Sequence, residues 1–405
     1  MAEQKKNAKG RALALTNEGN ACVGRSVAGT QPCAAGRPTK KFPWGAVIYI
    51  LVCGLIGGVI GVVLGESGAE MDFITLLGIM VLFVVMLYVH IIVHEAGHAI
   101  FGMLTGYKFL SYRVGSFMWE KGKDGKVRFS RFSLAGTGGQ CLLSPPDYNG
   151  GNYPYVWYNL GGALVNILLA VLAGAALLLF PMGKWATTAL AMLALTGLFL
   201  GLMNGLPLPG DTVNNDGSNI VAISRSPEAK RAFWLQMKVN EQLAWGKRLK
   251  ELPEEYFAPF PEEARANAMV STMAVLAANR QIDALNLDEA EHLMRPLMED
   301  KHVLSLYRQL MTFDMALIEL LNGRPGAMVE KLGSKELQQF AKAMKKFPSV
   351  LRTQYAVALL KDKDEKKAAT IRTTFDKMAA QYPHESEIAG ERELMALVEQ
   401  KAKEA

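Results

Sequence analysis

Residues 73–104 read FITLLGIMVLFVVMLYVHIIVHEAGHAIFGML. The stretch carries no Lys, Arg or Asp and is apolar enough to cross a bilayer, which needs about 20 such residues. As a helix it would be about 48 Å long, more than a hydrocarbon core of ~30 Å requires, so it must tilt, break or protrude. Near its end lies His94-Glu95-Ala96-Gly97-His98. On a helix His94 and His98 share one face. Two imidazoles so spaced hold one zinc, with Glu95 beside them as a base. Such groups are rare inside membrane helices and mark function there, so the apolar flanks sharpen a pattern that alone is weak. Glu95 lies nine residues before Leu104, roughly 13 Å from the end of the run. His90, one turn earlier on the same face, reads as a structural or lumen-lining side chain.

Three further stretches, Trp44–Leu64, Tyr158–Phe180 and Trp185–Leu206, are also long and nearly free of charge. The expectation is a mainly α, polytopic membrane protein with four spans. Short-loop Lys and Arg set orientation. They crowd residues 1–43, which read as a disordered basic tail, and the segment after Leu104, whereas residues 66–72 are acidic. Both termini and residues 105–157 are therefore expected in the cytosol of a plasma membrane, with no secretory signal peptide. This bias accounts for the net charge of +6, and no nucleic-acid motif accompanies it. Cys22, Cys33, Cys53 and Cys141 have neither metal-ligand nor disulfide-framework spacing.

Residues 107–132 alternate aromatic, apolar and polar side chains around the turn signal KGKDGK, which predicts a cytosolic β-hairpin. Residues 135–146, AGTGGQCLLSPP, read as a glycine-rich loop: either a connector, or exposed backbone able to pair with an extended peptide. Residues 225–262 read as a helix and a Pro-marked linker. Residues 263–405 carry helical periodicity, as in Ala264–Ala278 and Val303–Leu321, and predict a soluble helical domain, tetratricopeptide-like in its short paired helices but without a clean repeat. Such a domain more often binds a protein partner than performs chemistry.

A catalytic zinc needs a third protein ligand and an open position. Residues 204–220, NGLPLPGDTVNNDGSNI, follow the last apolar run, and Pro207 and Pro209 would stop its helix. Asp211 and Asp216 are the available carboxylates. Either can equally serve as a helix cap or turn residue.

Taken together, HEAGH at 94–98, GALVN at 162–166 and Asn204-x-x-Pro207 followed by Asp216-Gly217 resemble the motifs of the site-2 proteases, the zinc intramembrane metalloproteases of the M50 family. The resemblance spans residues 73–222. Two departures stand out: Ala163 replaces the usual Pro, and Asp-Gly follows Asn-x-x-Pro at a longer interval than usual. Asp211 falls closer to that distance but lacks the glycine, and Asp216 is preferred. The resemblance implies one zinc on His94, His98 and Asp216, with Glu95 activating water. It implies that Asn166 and Asn204 steady the substrate backbone or oxyanion. Gly136, Gly138 and Gly139 would lie along the substrate as an edge strand. It further implies cleavage of a single-span membrane protein or a leftover signal peptide, within a lipid bilayer, in a bacterial setting. Membrane AAA proteases share HEAGH but need a phosphate loop GxxxxGK[ST], which this chain lacks. The prenyl-protein and heat-shock zinc peptidases use a glutamate as third ligand, where this chain offers Asp-Gly. A non-catalytic membrane scaffold on a protease fold, binding partners through its C-terminal helices, is the alternative reading.

Overall fold

The computed structural model describes residues 73–132, 138–208, 215–382 and 384–404, together with Gly58 and Gly61. Three of the described helices are long and apolar enough to cross a membrane: α1 (Phe73–Leu104), α2 (Tyr155–Leu179) and α3 (Lys184–Gly205). The expected first span, residues 44–64, and the N-terminal tail lie outside the described residues. Helix α1 is unbroken over its 32 residues, longer than a hydrocarbon core of ~30 Å requires. The three helices pack on one another. Their pattern is inverted relative to a water-soluble bundle: Ile74, Val81, Val84, Leu168, Val171 and Leu178 are exposed, while His90, Glu95, His98, Asn166, Thr188 and Thr196 are buried. Apolar side chains outward and polar ones inward is the arrangement a hydrocarbon solvent selects.

Helices α1 and α2 meet backbone to backbone. A Cβ on Gly97 would overlap the Gly161 carbonyl, and one on Gly161 would overlap the Gly97 carbonyl. This is the close approach that small residues allow between membrane helices.

Between α1 and α2 the chain forms β1 (Lys108–Val114), β2 (Phe117–Lys121), β3 (Val127–Arg131) and β4 (Gly139–Ser144), an antiparallel sheet in the order β3-β2-β1-β4. The expected hairpin is present as β2 and β3, which flank the turn at residues 122–126. The stretch expected as a glycine-rich loop is corrected in part: residues 139–144 are a strand. The reason lies in Cys141 and Leu143, which point inward at period two, while the backbone pairs with β1 from Gly139–Val114 to Ser144–Lys108. Among the described strands β4 lies at one sheet edge, packed against α1. Tyr112 ties the sheet to α1, its hydroxyl donating to the Ile92 carbonyl at 2.7 Å.

Helix α4 (Asp216–Ser224) leads into α5 (Pro227–Ala244), which packs on β4. Trp234 Nε1 donates to the Pro146 carbonyl at 2.7 Å, the Tyr153 hydroxyl donates to the Lys230 carbonyl at 2.7 Å, and the Ser144 hydroxyl donates to Glu241. Beyond a linker of short 3-10 turns come α6 (Ala268–Asp283), α7 (Leu287–Glu299), α8 (Ser305–Leu321), α9 (Ala327–Lys331), α10 (Lys335–Ala343), α11 (Pro348–Ala356), α12 (Glu365–Ala379) and α13 (Glu385–Glu404). Their lengths are unequal, and α11 touches α8, α12 and α13 around one apolar core centred on Met315, Leu317 and Phe375. The domain leans on the sheet through Tyr382 against Phe132, 5.4 Å between ring centres, and His384 against Glu120 at 3.7 Å.

Candidate metal centre

Helix α1 delivers His94 and His98 on its inward face, with their Nε2 atoms 3.1 Å apart. His98 is oriented by the end of α2: its Nδ1 lies 2.7 Å from the Tyr158 carbonyl. A carbonyl can only accept, so Nδ1 carries a proton, and the tautomer this selects is the one whose Nε2 lone pair is free for a metal. His94 stands in a notch in α2, where a Cβ on Gly162 would come within 2.6–2.7 Å of the imidazole. That contact is a physical reason for glycine at the head of the GALVN stretch.

Asp216 arrives from a different part of the chain as the first residue of α4. The preceding Asn215 caps that helix, accepting from Ser218 N at 2.9 Å. The Asn215 amide also donates to the Met203 and Leu206 carbonyls, both at 2.6 Å, fastening the helix start to the end of α3. Gly217 lies so close to that end that a Cβ would overlap the Gly205 carbonyl. The result places Asp216 Oδ2 at 3.2 Å from His94 Nε2 and 3.5 Å from His98 Nε2.

His94, His98 and Asp216 each offer a ligand atom, all within 4.8 Å of one another. Asp216 Oδ2 is buried and faces the two imidazole Nε2 atoms, and no other hydrogen-bond donor among the described residues reaches it. A buried carboxylate oxygen converging with two imidazole nitrogens is a donor set that a cation satisfies, so the three residues fit a divalent metal. Two imidazoles and a carboxylate suit zinc without being specific to it.

Glu95 is buried beside this triad, and the β4 edge reaches it: a Cβ on Gly139 would overlap Glu95 Oε1, and one on Gly138 would lie 3.2 Å from Ile91 Cδ1. Gly138 and Gly139 are thus at the site, whereas Gly136 and Asp211 lie outside the described residues. The surroundings of Glu95 are poorly solvated. Burial pushes the Tyr112 hydroxyl up to about 12 and the Cys141 thiol higher still, with the Glu95 carboxylate adding to both. Burial lowers Arg113, while Glu95 works in the opposite direction. The Arg113 guanidinium donates to the Gly115 carbonyl at 2.9 Å and the Gly139 carbonyl at 3.3 Å, bracing β4.

The two asparagines part company. Asn166 is fully buried with its carboxamide between two rings, 3.2 Å from His94 Nδ1 and 3.1 Å from His90 Nδ1. Asn204 donates to the Leu200 carbonyl within α3 at 2.9 Å, and no hydrogen bond among the described residues joins it to the triad. Sequence reasoning missed Asn215 and Arg113. An Asn directly before Asp-Gly is a helix-cap signal that marks the first, whereas nothing in the local sequence marks the second. Compared with protein-family models, with curated proteins and with solved structures, the chain matches none of them.

Proposed function

We propose that this chain is a metal-dependent intramembrane endopeptidase of the site-2 kind, cleaving the membrane-spanning segment of a single-span protein or a leftover signal peptide. The observation that carries the reading is the meeting of His94, His98 and Asp216, from helices far apart in sequence, inside a group of apolar helices and next to Glu95. In the full reading the chain has four spans, with both termini and the sheet on the cytosolic side of a plasma membrane. The C-terminal helices supply a surface for a protein partner.

His94, His98 and Asp216 would hold the ion, with zinc the expected occupant. When bound, it supplies a lowered pKa for water and polarisation of a carbonyl. Glu95 would take the water's proton on a carboxylate oxygen and return it to the leaving amine. A peptide bond in a membrane helix has its carbonyl and N–H already paired, so the helix must open locally. The freed groups then need partners, and an edge such as β4, with Gly138 and Gly139 against α1, supplies them. The oxyanion role implied for Asn204 would require its amide to leave Leu200.

Glu95→Gln tests this reading. The variant, reconstituted in lipid vesicles with a single-span test substrate, is expected to retain one metal per chain and to lose cleavage. Undiminished turnover would overturn the mechanism. A wild-type chain with neither metal nor cleavage would favour the membrane scaffold.

A further inference from the structure

We propose that His90 and Asn166 form a positioning relay that sets the tautomer of His94 and thereby presents its Nε2 lone pair to the metal. The inference rests on the metal centre proposed above. It begins at the Leu193 carbonyl on α3, 2.8 Å from His90 Nε2. A carbonyl offers no proton, so His90 Nε2 must donate. His90 is fully buried among apolar helices, and among the described residues its side-chain hydrogen-bond partners are an amide and a carbonyl. Neutral His90 has one N–H, already committed to Leu193, and its Nδ1 can only accept.

Among the described residues the Asn166 carboxamide is what faces that nitrogen, and it must therefore donate its N–H to His90. The two ends of a carboxamide are isosteric, so donor logic decides which end faces which ring. The opposite orientation, with Oδ1 toward His90 at 3.1 Å and Nδ2 toward His94 at 3.2 Å, satisfies His90 only as an imidazolium. With Nδ2 on His90, Oδ1 faces His94 Nδ1, which then carries the proton. His94 Nε2 is left as a lone pair, matching His98, whose tautomer Tyr158 sets independently. The packing preserves the relay: a Cβ on Gly197 would strike His90 Cε1, so α3 must be bare at that point. His90 touches no metal ligand in these contacts and acts through Asn166.

The test is zinc retention by the purified full-length chain in detergent, measured by competition with a chelator. His90→Leu is expected to lose zinc about 10–100-fold more readily than the wild type, the range typical when an orienting partner of a ligand is removed. Asn166→Asp has only acceptors, imposes Nδ1–H on His94 without help from His90, and is expected to hold zinc at least as well as the wild type. The double variant His90→Leu/Asn166→Asp should therefore return to within about threefold of wild type. Loss of packing alone would not be rescued in this way. If His90→Leu does not fold, Asn166→Leu against Asn166→Asp decides, with weak retention expected only in the first. A wild-type chain that holds one zinc, with His90→Leu equally tight or the double variant unrescued, overturns the relay alone. Equal retention by the two Asn166 variants does the same. A wild-type chain that binds no zinc overturns the metal centre and the relay together.

Discussion

At position 216 a carboxylate reaches the two histidines because its neighbours hold it there. Asn215 locks the helix start onto the Met203 and Leu206 carbonyls, and Gly217 permits the contact with Gly205. Asp216→Ala is accordingly expected to release metal by more than the roughly 10–100-fold seen when an outer partner is lost, whereas Asp211→Ala should keep it. Metal content of the two purified variants checks this. The pattern HEAGH was sufficient to select His94, Glu95 and His98, because a spacing of four on a helix defines a face. The third ligand was open between two aspartates. What brings Asp216 to the histidines is a contact between the end of α3 and the start of α4, which no local spacing encodes.

At the scale of elements, β4 and α1 meet at Gly139 and Glu95. An alanine at 139 would force the Glu95 carboxylate aside without touching the metal ligands. Gly139→Ala is expected to retain metal while cleavage falls by about 100-fold, the order of loss when a reacting group is misplaced by ~1 Å. Turnover and metal content measured on the same preparation separate this from misfolding. Helices α1 to α3 were legible to within a few residues, since a long apolar run has few alternatives. The strand β4 was not. The glycines and prolines around it, Gly138, Gly139, Pro145 and Pro146, read as a loop, and pairing with β1 reveals the alternation of Cys141 and Leu143.

At the scale of the molecule, the C-terminal helices hold a buried charge cluster. Arg352, 1% exposed, pairs with Asp314 and with Glu391 at 3.0 Å, joining α11 to α8 and α13. Arg352→Met leaves two carboxylates buried without a partner, a cost of about 3–5 kcal/mol. Hydrogen exchange on α8, α11 and α13 of the full chain would show it as lost protection. Burial already pushes Glu391 from its ordinary 4.5 up to about 7, against the pull of Arg352. Without the arginine, folding favours the protonated carboxyl more strongly. The variant's stability is then greatest below the unfolded value and is lost as pH rises through the raised folded one. The penalty should therefore shrink toward pH 4.5 and grow through pH 7.

The sequence by itself determined the three helices long and apolar enough to cross a membrane, the β2–β3 hairpin and the pair of histidines. Each rests on a local period or on a transfer preference that a short window contains. Tertiary structure alone showed that Asp216 meets the two histidines, that Gly139 lies against Glu95, and that Asn166 lies between His90 and His94. Those arrangements arise where α1, α2, α3 and α4 converge, and a hydrogen bond across 72 residues has no signature in either segment taken singly.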